Sequence, residues 1–223
     1  MDILLIIIAL VITSAAQMYV SSSYNKYNKV SIKKNISGFE VARAILDKHG
    51  LNNVYVTETA GVLSDHYDPS RKVVKLSSDI FHGNSIASCS VAAHEVGHAI
   101  QDKENYKFMR FRSAIIPIVN LSSYGGYISI LIGVMFGSIE LVWIGIAFEI
   151  IILIFQLVTL TVEFDASKRA TEELEKLSIL TKEEVPSSQK MLRAAAYTYV
   201  ASVISAILQI LRLILIYGRS DRD

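Results

Sequence analysis

The chain has 223 residues, 52% of them hydrophobic, with a mean hydropathy of +0.39 and a formal charge of +1. It is too apolar for an ordinary soluble domain, and its near-neutral balance excludes the basic footprint that nucleic-acid binding requires. The single cysteine, Cys89, excludes an intrachain disulfide and a thiolate-built zinc site.

Ile3 to Val20 is an uncharged apolar run. No basic residue precedes it and Ser14-Ala15-Ala16 is a poor cleavage site, so it reads as a retained membrane anchor rather than a signal peptide. Ser37-Gly38-Phe39-Glu40 has the form of a capping box. The helix it opens carries Val41, Ala44, Ile45 and Leu46 on an apolar face and ends at Gly50, a left-handed stop. Three short strands follow, at 54–56, 62–67 and 72–76, with Asp68-Pro69-Ser70-Arg71 as the turn between the last two. A second helix, capped near Asn84 or Ser85, runs to about Gln101.

That helix contains His94-Glu95-Val96-Gly97-His98. Residues four apart lie on one helix face, so His94 and His98 can aim two imidazoles at one point with Glu95 beside them. This is the H-E-x-x-H pattern of two zinc ligands and a carboxylate base. The uncharged flanks, Val91-Ala92-Ala93 and Ala99-Ile100, suit a buried helix facing a cleft, whereas a chance pair would sit on a solvated face. Gly97 costs the helix about 1 kcal/mol and has no local reason to be there.

Two further apolar runs, Ile115 to Phe136 and Leu141 to Leu160, are joined around Gly137-Ser138 and read as a transmembrane hairpin. Pro117 falls in the first turn of the first run, and Gly125, Gly126, Gly133 and Gly137 allow close helix packing. Glu163 to Leu177 continues the second run as a polar helix, Pro186 interrupts, and another helix leads into a fourth span, Tyr199 to Tyr217. That span carries Gln209 and Arg212, the latter placed to snorkel. Residues 22–113 hold 13 Lys and Arg and 162–195 hold 6, against Arg219 and Arg222 in the tail. The positive-inside rule then puts both polar segments in the cytoplasm and both termini outside.

A third zinc ligand must come from elsewhere in the chain. The metzincin extension is absent, because Gln101 stands where it needs glycine and no later histidine exists. The Leu-Asp-Gly motif of intramembrane metalloproteases is absent too. A hairpin that goes out and back returns Glu163 to the membrane face from which the histidine helix departed. Glu140 falls on the opposite side, Glu149 in mid-membrane, and Glu172, Glu173 and Glu175 look like a solvated helix face. Glu163 is therefore the expected ligand. His66, Tyr67, His82 and Arg193 are candidates for a second oxyanion donor.

Asp65-His66-Tyr67-Asp68-Pro69, Ala92 to Gln101 and Val162-Glu163-Phe164-Asp165-Ala166-Ser167 resemble the YugP-like neutral zinc metallopeptidases of bacteria, over nearly the whole chain. That family is similar to HtpX-type membrane proteases, which also place a transmembrane hairpin between the His-Glu motif and a ligand glutamate. In those relatives an aspartate follows the glutamate by four residues; here Ser167 holds that place and Asp165 comes earlier. The resemblance implies zinc on His94, His98 and Glu163, with Glu95 as catalytic base.

The expected protein is a mainly α membrane protein, with four transmembrane helices and a small α+β zincin-like cytoplasmic domain. The divisions are an anchor at 1–21, an α+β domain at 22–113, a hairpin at 114–161, cytoplasmic helices at 162–197, and a fourth span with tail at 198–223. Its expected activity is zinc-dependent, gluzincin-like endopeptidase cleavage of a peptide or membrane-protein substrate. It would act at the lipid bilayer of a bacterial cell membrane, with no nucleic acid involved. The rival is a non-catalytic zinc-binding membrane scaffold or quality-control adaptor, which has no need of Glu95.

Overall fold

The apolar runs form the middles of four long helices in the computed structural model, which describes residues 2–218. Arg219 and Arg222 lie outside the described residues. In chain order the elements are α1 (Asp2–Tyr27), α2 (Gly38–Lys48), β1 (Tyr55–Thr59), β2 (His66–Asp68), β3 (Val73–Ser77), α3 (Ser78–His82), α4 (Ile86–Lys103), α5 (Lys107–Phe136), α6 (Ile139–Lys176) and α7 (Val185–Tyr217). The protein is thus mainly helical with a small three-stranded sheet. By length and composition α1, α5, α6 and α7 can each cross a membrane.

The chain divides into two units. One comprises residues 1–17, 108–161 and 197–223. Within it α5 and α6 pack closely because glycine faces bulk across the contact. A Cβ on Gly126 would meet Phe148 at 3.1 Å, and one on Gly133 would meet Val142 at 2.9 Å. Gly145 repays the arrangement from α6, where a Cβ would lie 2.4 Å from Ile130. Gly137 has a different role from the packing one expected of it: φ is +68° and nothing lies near its Cβ position, so it makes the tight turn of the hairpin. Pro117 also departs from expectation. The basic stretch from Lys107 onward continues the helix, because Lys and Arg are good helix formers, and leaves Pro117 inside α5. Pro186, by contrast, sits in the first turn of α7, where a missing N–H is harmless.

The other unit comprises residues 18–107 and 162–196. The box at Ser37 forms as its sequence dictates: Ser37 Oγ accepts from Glu40 N–H and the Glu40 carboxylate accepts from Ser37 N–H at 2.7 Å. Ile45 and Leu46 on α2 are fully buried, each worth roughly 1.5–3 kcal/mol. The α2 helix closes at Gly50, φ +63°. The sheet has the order β1-β3-β2, with β1 parallel and β2 antiparallel to β3. Central β3 is Val73-Val74-Lys75-Leu76-Ser77, nearly all buried, as a strand flanked on both edges should be. Asp68 Oδ1 accepts from the N–H groups of Ser70 and Arg71 and builds the turn into β3.

Val62 to Asp65 does not extend β2. Gly61 (φ +102°) and Leu63 (φ +55°) take left-handed conformations that break strand geometry. Asp65 then ties the segment down by accepting from Ser77 N–H at 2.7 Å. The core of this unit gathers around α4, which contributes Ile86, Ala87, Cys89, Ala92, Ala93, Val96, Ala99 and Ile100. Burial pushes the Cys89 thiol up to about 12, so it is an inert apolar filler.

Replacing Ser37 with alanine removes the side-chain half of the box, the Oγ that accepts from Glu40 N–H, and leaves the backbone N–H of that position on the Glu40 carboxylate. Thermal or denaturant unfolding of the purified protein should show a loss of about 1 kcal/mol.

Candidate metal centre

The metal helix is anchored by Ser85, whose Oγ accepts from Ser88 N–H at 3.0 Å. Small side chains at Ala92, Ala93, Gly97 and Ala99 let α4 run through the middle of its unit. On α6 the residues facing that core recur every four positions, Val162, Ala166, Ala170 and Leu174, all buried. The two helices touch closely where Gly97 meets Ala166. A Cβ on Gly97 would lie 2.7 Å from the Ala166 carbonyl oxygen, inside contact distance. The glycine that the helix alone does not justify is thus required by its neighbour.

This approach brings His94, His98 and Glu163 into one group that can hold a metal ion. The imidazoles of His94 and His98 stand edge to face, 4.8 Å between centroids. Glu163 Oε2 lies 3.2 Å from His94 Nε2 and 3.6 Å from His98 Nε2. Tetrahedral zinc with bonds of about 2.0–2.1 Å separates its ligand atoms by about 3.4 Å, so both edges suit it. Two imidazole nitrogens and one carboxylate oxygen are a zinc donor set, and three protein ligands leave a fourth position open, as in catalytic sites.

The remaining ring nitrogens are also engaged. Gln101, fully buried, donates its amide to Val162 O and Asp165 Oδ2, each at 2.8 Å. Its carbonyl oxygen is therefore the atom facing His98 Nδ1 at 3.0 Å, and the histidine must donate. That leaves His98 Nε2 with a lone pair free for a metal ion that the group could hold. His94 Nδ1 faces Ser167 Oγ at 3.2 Å. Asp165 is held in turn by Arg169 Nε at 2.5 Å, and Arg169 reaches Glu104 at 2.6 Å. Burial works against a charged His98, but the Glu163 carboxylate outweighs it and shifts the imidazole upward. Glu95, one residue from His94, is buried. Burial raises its carboxyl above the usual range, with the two imidazoles pulling the other way.

The candidate oxyanion donors are not members of that group, although Arg193 lines a cavity with Ser167, the hydroxyl that meets His94. His66 is exposed with Nδ1 on Ser64 O, and the Tyr67 hydroxyl donates to buried Asp102 at 2.9 Å. His82 faces Glu58 at 3.3 Å, and Arg193 is exposed on α7. Glu173 is not on a solvated face: it is buried and receives Lys48 at 2.8 Å and His49 at 3.3 Å. Gln101, spaced three from His98 on the same helix face, was the sequence signal for the supporting hydrogen bond, and it was legible only as the failure of another motif.

Residues 2–218 match the model of the family described as "Putative neutral zinc metallopeptidase". The chain belongs to that family. It is similar to "Putative membrane protease YugP" of Bacillus subtilis (strain 168), at 41% identity over 221 residues covering 98% of each chain. No solved structure matches it. As a member of a zinc metallopeptidase family with a metal-capable group of matching chemistry, the chain has zinc as its implied metal.

Gln101→Leu keeps the volume but removes the orienting acceptor. Equilibrium zinc titration should show affinity about 10–100-fold weaker, with helical content unchanged. Gly97→Ala forces the two helices apart at Ala166. It should lower both the thermal midpoint and zinc affinity, whereas the alanine would stabilise a helix with no such neighbour.

Proposed function

We propose that this protein is a zinc-dependent endopeptidase of the gluzincin type, with His94, His98 and Glu163 as metal ligands and Glu95 as general base. The observation that carries the reading is the convergence of three ligand atoms from α4 and α6 with a buried, basic-shifted carboxylate one residue from the first of them. A zinc ion held there supplies Lewis-acid polarisation of the scissile carbonyl and a water of lowered pKa.

Glu95 takes the proton from the attacking water and passes it to the leaving amine. Its burial suits the task, since a carboxylate shifted upward is a stronger base than a solvated one. Gln101 and Ser167 hold the two imidazoles in orientation, so the ligand atoms need no rearrangement on metal binding. Edge strand β2 offers backbone groups on its outer side that can align an extended peptide by strand addition.

The substrate class is a peptide or a membrane-protein segment, in keeping with the name carried by the relative in B. subtilis. The proposed setting is a multi-pass cell-membrane protein whose site faces the cytoplasm. The 13 and 6 basic residues of the two polar segments support that orientation. A zinc-bound scaffold would have no use for Glu95, which favours the catalytic reading.

Glu95→Gln should retain stoichiometric zinc and lose cleavage of casein or a peptide library by about 100-fold or more. Glu163→Ala should lose zinc itself, and chelation of the wild type should abolish cleavage until zinc is returned. Full proteolysis by Glu95→Gln overturns the mechanism.

A further inference from the structure

In the unit built from residues 1–17, 108–161 and 197–223, α1 and α7 border a cavity of about 280 Å³. One face of α1 supplies Leu5, Ile6 and Leu10, and one face of α7 supplies Ser205, Gln209 and Arg212. The α7 residues are spaced i, i+4, i+7 and so form a single polar stripe on an apolar helix. The cavity is many times the roughly 30 Å³ of one water.

Its polar side is unsatisfied. Arg212 donates from one terminal nitrogen to Gln209 at 3.1 Å, but its Nε and the Ser205 Oγ are buried without a hydrogen-bond partner. None of the described residues lining the cavity is acidic, so the guanidinium has no counter-charge there. Its apolar side opens outward: Ile6 is 38% and Leu10 is 62% exposed. Both walls belong to helices fit to cross a bilayer, and Arg212 lies five residues from the end of α7, about 7 Å along its axis. A cation at that depth is within reach of the headgroup level.

We infer that this cavity binds an anionic phospholipid, with its phosphate on the Arg212 guanidinium and an acyl chain along Leu5, Ile6 and Leu10. The ligand must be anionic where the guanidinium has no acidic partner in the lining, and apolar for the rest of its length. A phospholipid meets both conditions and is present on the side to which the cavity opens. The site is separate from the metal group and independent of the peptidase reading.

The test uses the full chain in lipid nanodiscs and in detergent, read by native mass spectrometry. Phosphatidylglycerol and phosphatidylcholine of matched chains are offered in competition. Wild type should retain phosphatidylglycerol about tenfold over phosphatidylcholine, Arg212→Gln should lose the preference, and Arg212→Lys should keep most of it. Zinc content and helicity of the Gln variant report whether it is folded; where it is not, the wild-type lipid preference and the Lys variant decide. Equal retention of the two lipids, or an unchanged preference in a folded Arg212→Gln, overturns the proposal. So does displacement of phosphatidylglycerol by millimolar inorganic phosphate, which would make this a simple anion site. A photoreactive side chain at Leu10 should crosslink to lipid; crosslinking to a protein segment instead overturns the choice of occupant.

Discussion

The contact between Gly97 and Ala166 is the constraint on which the metal group depends. With no Cβ at position 97, the backbones of α4 and α6 meet, and the residues around Ala166 each address the helix opposite. Glu163 reaches both histidines, Val162 O and Asp165 take the Gln101 amide, and Ser167 meets the far nitrogen of His94. Separation of the helices by even the radius of a methyl group would lengthen all of these together. Short-range hydrogen bonds and the metal-ligand edges therefore share one geometric origin, a single missing side chain.

The cost of this arrangement is concentrated charge. Glu163, Glu95, His94 and His98 sit mostly out of solvent, and a buried carboxylate is tolerated only when paired and hydrogen-bonded. Glu163 is offset by direct contact with the imidazoles, whereas for Glu95 burial outweighs the pull of the same two imidazoles and raises its carboxyl. A divalent cation held by this group would offset the imbalance and link metal occupancy to the stability of this unit. The five side chains from His98 through Gln101 and Asp165 to Arg169 and Glu104 carry the network from the buried group to the surface, where its last charge is hydrated.

Local signals were legible wherever the physics is local. The capping box at Ser37, the left-handed Gly50, the Asp68 turn and the i, i+4 histidines need only near neighbours, and each stands where its pattern places it. The long apolar runs declare themselves by length. Features set by partners distant in sequence were not legible. The reason for Gly97 lies in Ala166, and the burial of Glu173 comes from Lys48 and His49. The pairing of Glu163 with the histidines was an intermediate case: the hairpin's out-and-back path narrowed the choice, while the close approach that makes it geometrically exact to within a few tenths of an ångström is a property of packing.

Cys89 gives the molecule an experimental character of its own. Its thiol is buried at the heart of the metal-helix unit and shifted far from the range in which thiolates form. Water-soluble alkylating reagents meet no exposed thiol on the native chain. A cysteine placed at any exposed position would therefore be the one reporter in the molecule, so that accessibility from either side of a vesicle can be read residue by residue without first removing anything the fold needs.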